Sequence, residues 1–303
     1  MKLQFHTLDV FTSRKFAGNP LAVVLGADHL STEQMQTITR EFNLSETTFV
    51  MKPDDPANTA KVRIFFPTGE TPFAGHPTIG TSILLAEMKN KPGSNFQTQI
   101  KLELKAGLTP VSVIRIAEQT SAILTAPVIP FHSTEGLPSV ADTARALNLD
   151  PSDVEFDGHK ITSIRGGPRF FYVPVKTRDA LEKSKVFEPY WSKLIEPMQG
   201  LDSAYLYTRG GDGPSASFRA RMYSPTGGIP EDPATGSATA LLAAQLLTSE
   251  KLTDGKHCWQ LEQGYEMGRP SDLRLEADVS GGALKAVRVG GAAVRVMSGE
   301  IEV

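Results

Sequence analysis

The chain has 303 residues, with 31 Lys and Arg set against 34 Asp and Glu for a formal charge of -3, and it carries 26 Gly and 21 Pro. That length favours two domains over one, and the Gly and Pro content calls for many turns between short elements. A near-neutral balance with no basic stripe interleaved with aromatics argues against nucleic acid as a partner. The lone cysteine, Cys258, cannot form an internal disulfide, which fits a reducing compartment. MKLQFHTLDVF has no long apolar run behind its Lys, so we expect neither signal peptide nor membrane span, and a soluble cytoplasmic protein.

In chain order, residues 3–11 read as a strand, and a Gly18-Asn19-Pro20 turn feeds a second strand over 21–25. Ser31 and Gln34 have capping-box spacing, Met35, Ile38 and Phe42 repeat on one helical face, and the helix gives way at Asn43. NLSETTFVM is the next strand, with Glu46 near its beginning. After a polar turn over 53–60 comes the strand KVRIFF, and PTGETPFAGHPTIG reads as a long connection before an apolar helix at TSILLAEM. Alternation in QTQIKLELKAG, TPVSVIRIA and SAILTA predicts three more strands up to about residue 126. Pro127 and Pro130 break the pattern, HSTEGLPSV is a loop, and a short helix follows over 140–147. We therefore expect an N-terminal domain over 1–126 and a C-terminal domain over 127–303, with the last strand, about 286–303, free to pack back on the first. The second half shows strands in KITSIRG, RFFYVPV, SAYLYTR and FRARMYS, a helix around 190–195, and strands near WQLEQG, LRLEADV, LKAVRVG and AAVRVMSGEI.

Between FRARMYS and WQLEQG lies EDPATGSATALLAAQLL, residues 231–247. Two carboxylates, a Pro and Gly turn and an apolar run form the grammar of a helix N-terminus. Gly236 and Ser237 there would suit a small anion such as a substrate carboxylate, with Asp232 beside it. The plainer reading makes Ser237 an N-cap and Asp232 a turn residue.

The two halves repeat. RIFFPTG precedes HPTIG and then TSILLAEM; RMYSPTG precedes DPATG and then SATALLAAQLL. Ser45 to Arg63 and Ser203 to Arg221 both span 18 positions, which sets Glu46 against Ala204 and, with a two-residue gap, His76 against Asp232. A duplicated β-rich unit around one buried helix is the simplest explanation, and two helix starts facing across a cleft would offer a small-molecule site. Proton transfer at carbon needs a positioned base, an acid and donors for the developing anion. Glu46, His76 and Asp232 supply the proton carriers, and backbone N–H groups near Gly75, Gly80 and Gly236 with the Ser237 hydroxyl supply the donors.

DVFTSRKFAGNPLAVV, NLSETTFV, PFAGHPTIGT, EDPATGSA and EMGRPS, in that order over residues 9–271, resemble the signature segments of the phenazine-biosynthesis PhzF-like family. The resemblance implies an α+β, diaminopimelate epimerase-like fold: two similar domains, each a curved, barrel-like sheet around a central helix. By matching positions it implies an acid/base glutamate at Glu46, a histidine at His76, and an aspartate and serine at Asp232 and Ser237. The reaction it implies is a cofactor-free isomerisation of trans-2,3-dihydro-3-hydroxyanthranilate. It also points to a homodimer. A two-cysteine epimerase is excluded, since Cys258 stands alone and outside both helix starts.

Plainer roles stand beside these. Glu46 could be an exposed carboxylate at a strand start, His76 a solvent-facing turn residue, and Asn19 a turn former as readily as a cleft residue. The six histidines show no metal-ligand spacing, so no metal is expected, and TGGIPEDPATGS lacks the Lys of a phosphate loop. We expect a cofactor-independent isomerase for a small carboxylate. The alternatives are a non-catalytic binder of such molecules and a serine hydrolase using Ser237, which has no GxSxG elbow.

Overall fold

The computed structural model describes residues 1–303 apart from 134–135, 199–200 and 202. Positions 134–135 fall in the expected loop HSTEGLPSV, and that part of the expectation lies outside the described residues. The chain divides into two compact units: Met1–Thr125 with Gly268–Asp272 and Val289–Val303, and Ala126–Met267 with Leu273–Arg288.

The first unit contains β1 (Lys2–Val10), β2 (Asn19–Leu25), α1 (Thr32–Phe42), β3 (Glu46–Met51), β4 (Ala60–Phe66), β5 (Gly69–Thr71), α2 (Gly75–Lys89), β6 (Phe96–Leu104), β7 (Gly107–Ile116) and β8 (Gln119–Thr125). Helix α1 starts as its sequence asks. Ser31 caps it in a full capping box with Gln34, and Asn43 ends it in the left-handed conformation. Strand β1 pairs antiparallel with β2, β2 parallel with β3, β3 antiparallel with β4 and β4 parallel with β6. The antiparallel run β6, β7, β8 follows, and the final strand of the chain joins β8 to β1, closing a barrel. Helix α2 packs against β1, β2, β3, β6, β7 and β8. It is buried without a break from Gly75 to Leu84, so no face of that stretch meets water, and it emerges only at its C-terminal end, where Met88 and Lys89 are exposed.

The second unit contains β9 (Phe131–His132), α3 (Val140–Ala146), β10 (Thr162–Arg165), β11 (Arg169–Pro174), α4 (Arg178–Lys183), α5 (Tyr190–Ile195), β12 (Ala204–Arg209), β13 (Phe218–Ser224), β14 (Ile229–Asp232), α6 (Gly236–Ser249), β15 (Gly255–Gln263) and β16 (Ser271–Ser280). Its ladders repeat the order of the first unit. β10 and β11 are antiparallel, β11 and β12 parallel, β12 and β13 antiparallel, and β13 and β15 parallel, with β14 as the hairpin partner of β13. Helix α6 is again apolar and almost wholly buried. The last strand, β17 (Ala283–Glu302), begins in this unit and ends in the first. Residues Ser271 and Asp272, the first two of β16, belong to the first unit.

The duplication is written in one ion pair. Arg63 grips Glu70 through Nε and Nη2 at 2.8 and 3.0 Å; Arg221 grips Glu231 through the same nitrogens at 2.8 and 2.9 Å. Arg63 stands opposite Phe49 in its ladder, and Arg221 opposite Leu206. Counting back from these pairs sets Glu46 against Ser203, one place from the expected Ala204.

A second shift follows from the hairpins. Ile64 faces Thr71 and Met222 faces Asp232, so Asp232 matches Thr71, and the helix starts Gly75 and Gly236 match each other. The counterpart of His76 is thus Ser237. The second hairpin has a four-residue turn where the first has two, and a bulge between Met222 and Ser224 adds to the offset.

Two other expectations change. Helix α2 starts at Gly75, six positions before the expected TSILLAEM. Pro77 sits in its first turn, where a missing N–H breaks no helical bond. The two expected C-terminal strands are one, because Gly290 and Gly291 make close approaches instead of a turn. A Cβ on Gly290 would meet the Ala122 carbonyl oxygen at 2.6 Å, and one on Gly291 would meet Phe11 Cδ1 at 2.6 Å.

Candidate active site

Glu46 opens β3 and His76 is the second residue of α2. Parallel pairing of β2 with β3 puts Glu46 beside Leu21, and α2 runs inside the barrel, so strand and helix meet at their first residues. His76 Nδ1 lies 3.4 Å from Glu46 Oε2, with the imidazole 4 % and the carboxylate 14 % exposed. Burial drives the imidazole down to about 3, against a smaller upward push from the backbone of Pro20. His76 is therefore neutral at physiological pH, and the tautomer with its proton on Nδ1 can donate to Glu46. Its Nε2 is buried and has no hydrogen-bond partner among the described residues.

Around this pair, Asn19 is fully buried at the start of β2. The N-cap of α2 is Ala74, which offers no side-chain cap, and the first turn carries no acid. The N–H groups of Gly75 and His76 are left without intrahelical acceptors. Gly80 does not belong with them: as the sixth residue of α2 its N–H is an ordinary intrahelical donor. What Gly80 provides is room, since a Cβ there would sit 2.6 Å from Leu21 Cδ2 and 2.7 Å from Val10 Cγ2. Behind the pair, the Thr48 and Thr81 hydroxyls bond at 2.9 Å and tie β3 to α2.

In the second unit, Asp232 ends β14, four residues before α6, and is 5 % exposed. Its Oδ2 accepts from the Thr235 hydroxyl at 2.5 Å. Gln263 holds both. Its Nε2 donates to the Asp232 carbonyl at 2.8 Å and to Thr235 Oγ1 at 3.0 Å, and its Oε1 accepts from the Thr235 N–H at 3.0 Å. Thr235, not Ser237, occupies the N-cap position, without a side-chain cap. That leaves the N–H groups of Gly236 and Ser237 and the half-buried Ser237 hydroxyl at an uncapped helix start. Beneath, the Tyr205 hydroxyl bonds Thr239 at 3.1 Å and the Tyr172 hydroxyl donates to the Ala238 carbonyl at 2.6 Å. Burial raises the Tyr205 hydroxyl, with a further push from the charge of Asp232.

The histidines of this unit bond groups other than Ser237. His132 Nε2 lies on the Ala244 carbonyl, His159 Nδ1 on the Tyr207 hydroxyl and His257 Nε2 on the Thr253 carbonyl. Among the described residues, no group of three or more His, Cys, Asp or Glu could hold a metal ion, and no helix is long and apolar enough to cross a membrane.

Sequence reasoning missed Thr235, Gln263 and the pair Asp9 and Arg269, which orders the turn before Asn19. The EMGRPS segment held the one signal for the last of these, as a motif without an evident partner.

The family model described as phenazine biosynthesis-like protein matches residues 8–299. An uncharacterized isomerase of Mesorhizobium japonicum is 39 % identical over 300 residues, covering 97 % of this chain and 96 % of its own. The trans-2,3-dihydro-3-hydroxyanthranilate isomerase of Pseudomonas aeruginosa is 33 % identical over 288 residues, covering 95 % of each. In fold, the crystal structure of the Bacillus anthracis PhzF-family phenazine biosynthesis protein superposes with a TM-score of 0.87 over all of both chains, at 24 % identity. The chain belongs to the phenazine biosynthesis-like, or PhzC-PhzF, family and is an isomerase of that family.

Proposed function

We propose that the protein moves a proton between carbons of a small carboxylate substrate without a cofactor, and that Glu46 is the group that carries it. The observation behind this reading is the Glu46 and His76 pair: a half-buried carboxylate held 3.4 Å from a buried, neutral imidazole. Glu46 as carboxylate takes a proton from a substrate carbon; the developing anion is held by backbone N–H groups; the Glu46 carboxylic acid then returns the proton to another carbon. His76 orients the carboxylate through Nδ1. Because burial keeps its charged form out of reach, the imidazole acts as a neutral donor and not as a counter-ion.

In the first unit the Gly75 N–H group and Asn19 are proposed as donors to a substrate carboxylate, and in the second unit the Gly236 N–H group and Ser237. Asp232 is proposed to accept a hydrogen bond from an N–H or O–H group of a bound ligand, an acceptor role for which Thr235 and Gln263 fix its geometry. The substrate named for the Pseudomonas aeruginosa relative is the first to try. We further propose a cytoplasmic homodimer, which sedimentation would show as twice the 32.8 kDa chain mass.

The test is the wild-type protein, dialysed against chelator, in deuterated water with trans-2,3-dihydro-3-hydroxyanthranilate and a panel of small carboxylates. Deuterium should enter a carbon position of at least one ligand without added metal or cofactor. Ligand binding with no exchange anywhere in the panel would instead mark a non-catalytic binder.

A further inference from the structure

The turn between β1 and β2 is costly to build. Phe11, Phe16 and Gly18 all have positive φ, at 63°, 66° and 66°, and for a bulky residue such as Phe this conformation persists only where its surroundings impose it. Phe16 is also 74 % exposed, so its own packing does not hold it there. A Cβ on Gly18 would lie 2.3 Å from the Val10 carbonyl oxygen and 2.6 Å from Thr12 Cγ2, so no other residue fits without displacing backbone.

One ion pair, buried at Asp9 and half-buried at Arg269, holds the Phe16–Gly18 part of the turn. Asp9, 4 % exposed, accepts from the Phe16 N–H at 2.6 Å through Oδ2 and from Arg269 Nη2 at 2.5 Å through Oδ1. The same guanidinium donates to the Ala17 carbonyl at 2.7 Å and, through Nε, to the Gly18 carbonyl at 2.8 Å. The next residue, Pro270, accepts from the Gly18 N–H at 3.0 Å. A segment some 250 positions away in the chain thus holds the turn from three sides.

What the turn delivers is the proposed catalytic pair. Asn19 opens β2, and Pro20 faces Asp9 itself across the β1–β2 ladder. The backbone of Pro20 engages the His76 imidazole, and Leu21 is the ladder partner of Glu46. Two consecutive residues after the turn, Pro20 and Leu21, therefore meet the two members of the pair.

We infer that Asp9 and Arg269 are positioning residues for His76 and Glu46, acting through the turn that ends at Pro20. The inference rests on the proposed role of Glu46, but it predicts a separate observable at His76. Lysine at 269 keeps the charge and loses the fork that reaches Asp9 and two carbonyls together.

The experiment compares wild type, R269K and R269A by imidazole 15N NMR of His76 and by deuterium-exchange kinetics. R269K should fold, shift or broaden the His76 resonances, and lower kcat by about tenfold or more with KM changed about twofold or less, the signature of a misplaced catalytic group. In R269A, added guanidinium should recover part of the lost rate; should that variant fail to fold, R269K carries the test. Wild-type His76 resonances and kcat in R269K would overturn the inference. A lower kcat with unchanged His76 resonances and no guanidinium rescue would also overturn it, leaving the ion pair a structural role alone. If wild type exchanges no deuterium, the Glu46 assignment falls, while the His76 resonances of wild type and R269K still decide whether the clamp acts on His76.

Discussion

His76 Nδ1 and Glu46 Oε2 stand 3.4 Å apart, yet burial and not the carboxylate governs the imidazole, holding it near 3. The consequence is a neutral histidine beside the proposed proton carrier, so His76 meets Glu46 as an uncharged donor and not as a counter-ion. A protonated His76 would favour the carboxylate form and oppose its uptake of a substrate proton.

The same burial predicts an acid-sensitive fold. The unfolded chain binds this proton near pH 6.5 and the folded chain only near pH 3. Above about pH 6.5 His76 is neutral in both states and adds no slope. As pH falls from there toward 3 the unfolded state gains protons first, and stability drops by an amount on the order of a few kcal/mol. H76Q should flatten that part of the stability curve, measured by urea unfolding across the range; parallel curves for H76Q and wild type would contradict it.

Gly80 should matter through packing and not through binding. Its absent side chain leaves room for Leu21 Cδ2 at 2.6 Å and Val10 Cγ2 at 2.7 Å, both in the barrel core. G80A is expected to cost about 1–3 kcal/mol in denaturant unfolding, and a ligand affinity unchanged in the folded variant would separate the two roles.

The duplicated ion pair predicts unequal costs. Arg221 also donates through Nη1 to the carbonyls of Leu181, Glu182 and Ser184, at 3.1, 2.9 and 2.9 Å, and it is 9 % exposed where Arg63 is 23 %. R221M strands a half-buried carboxylate and three acceptors and should cost about 3–5 kcal/mol. R63M should cost roughly 1 kcal/mol or less, as a more exposed pair. Equal losses would show that the two halves do not divide their stability this way.

Gln263 should act on Asp232. Q263L leaves the Thr235 N–H and the Asp232 carbonyl without the partner each now has in Gln263. It should destabilise by about 1–3 kcal/mol and raise KM more than it lowers kcat, as expected for a weakened binding contact at Asp232.

Much of the fold was legible. The Ser31 and Gln34 box, the strand alternation and the all-round apolar character of α2 and α6 are local signals, and each produced its element. What the sequence hid has physical causes. Pro77 reads as a breaker, yet in a first helical turn it breaks nothing. β5 and β14, at three and four residues, are too short for alternation to show. The repeat was visible, but its register was not, because the longer second hairpin and its bulge lie inside the gap. For the site, Glu46 and His76 came from the internal repeat and from motif resemblance, and their proximity needed the parallel β2–β3 pairing. Gln263 gave no signal and Arg269 only a motif without its partner, because the groups they hold lie 28 to 31 and 251 to 260 positions away.

The proton-carrying role of Glu46 is tested most directly by substituting E46Q and following solvent-deuterium incorporation into a ligand that the wild type labels, with affinity measured in parallel. The variant should bind the ligand within a few-fold of wild type and incorporate no deuterium. Exchange at the wild-type rate in E46Q would contradict the assignment.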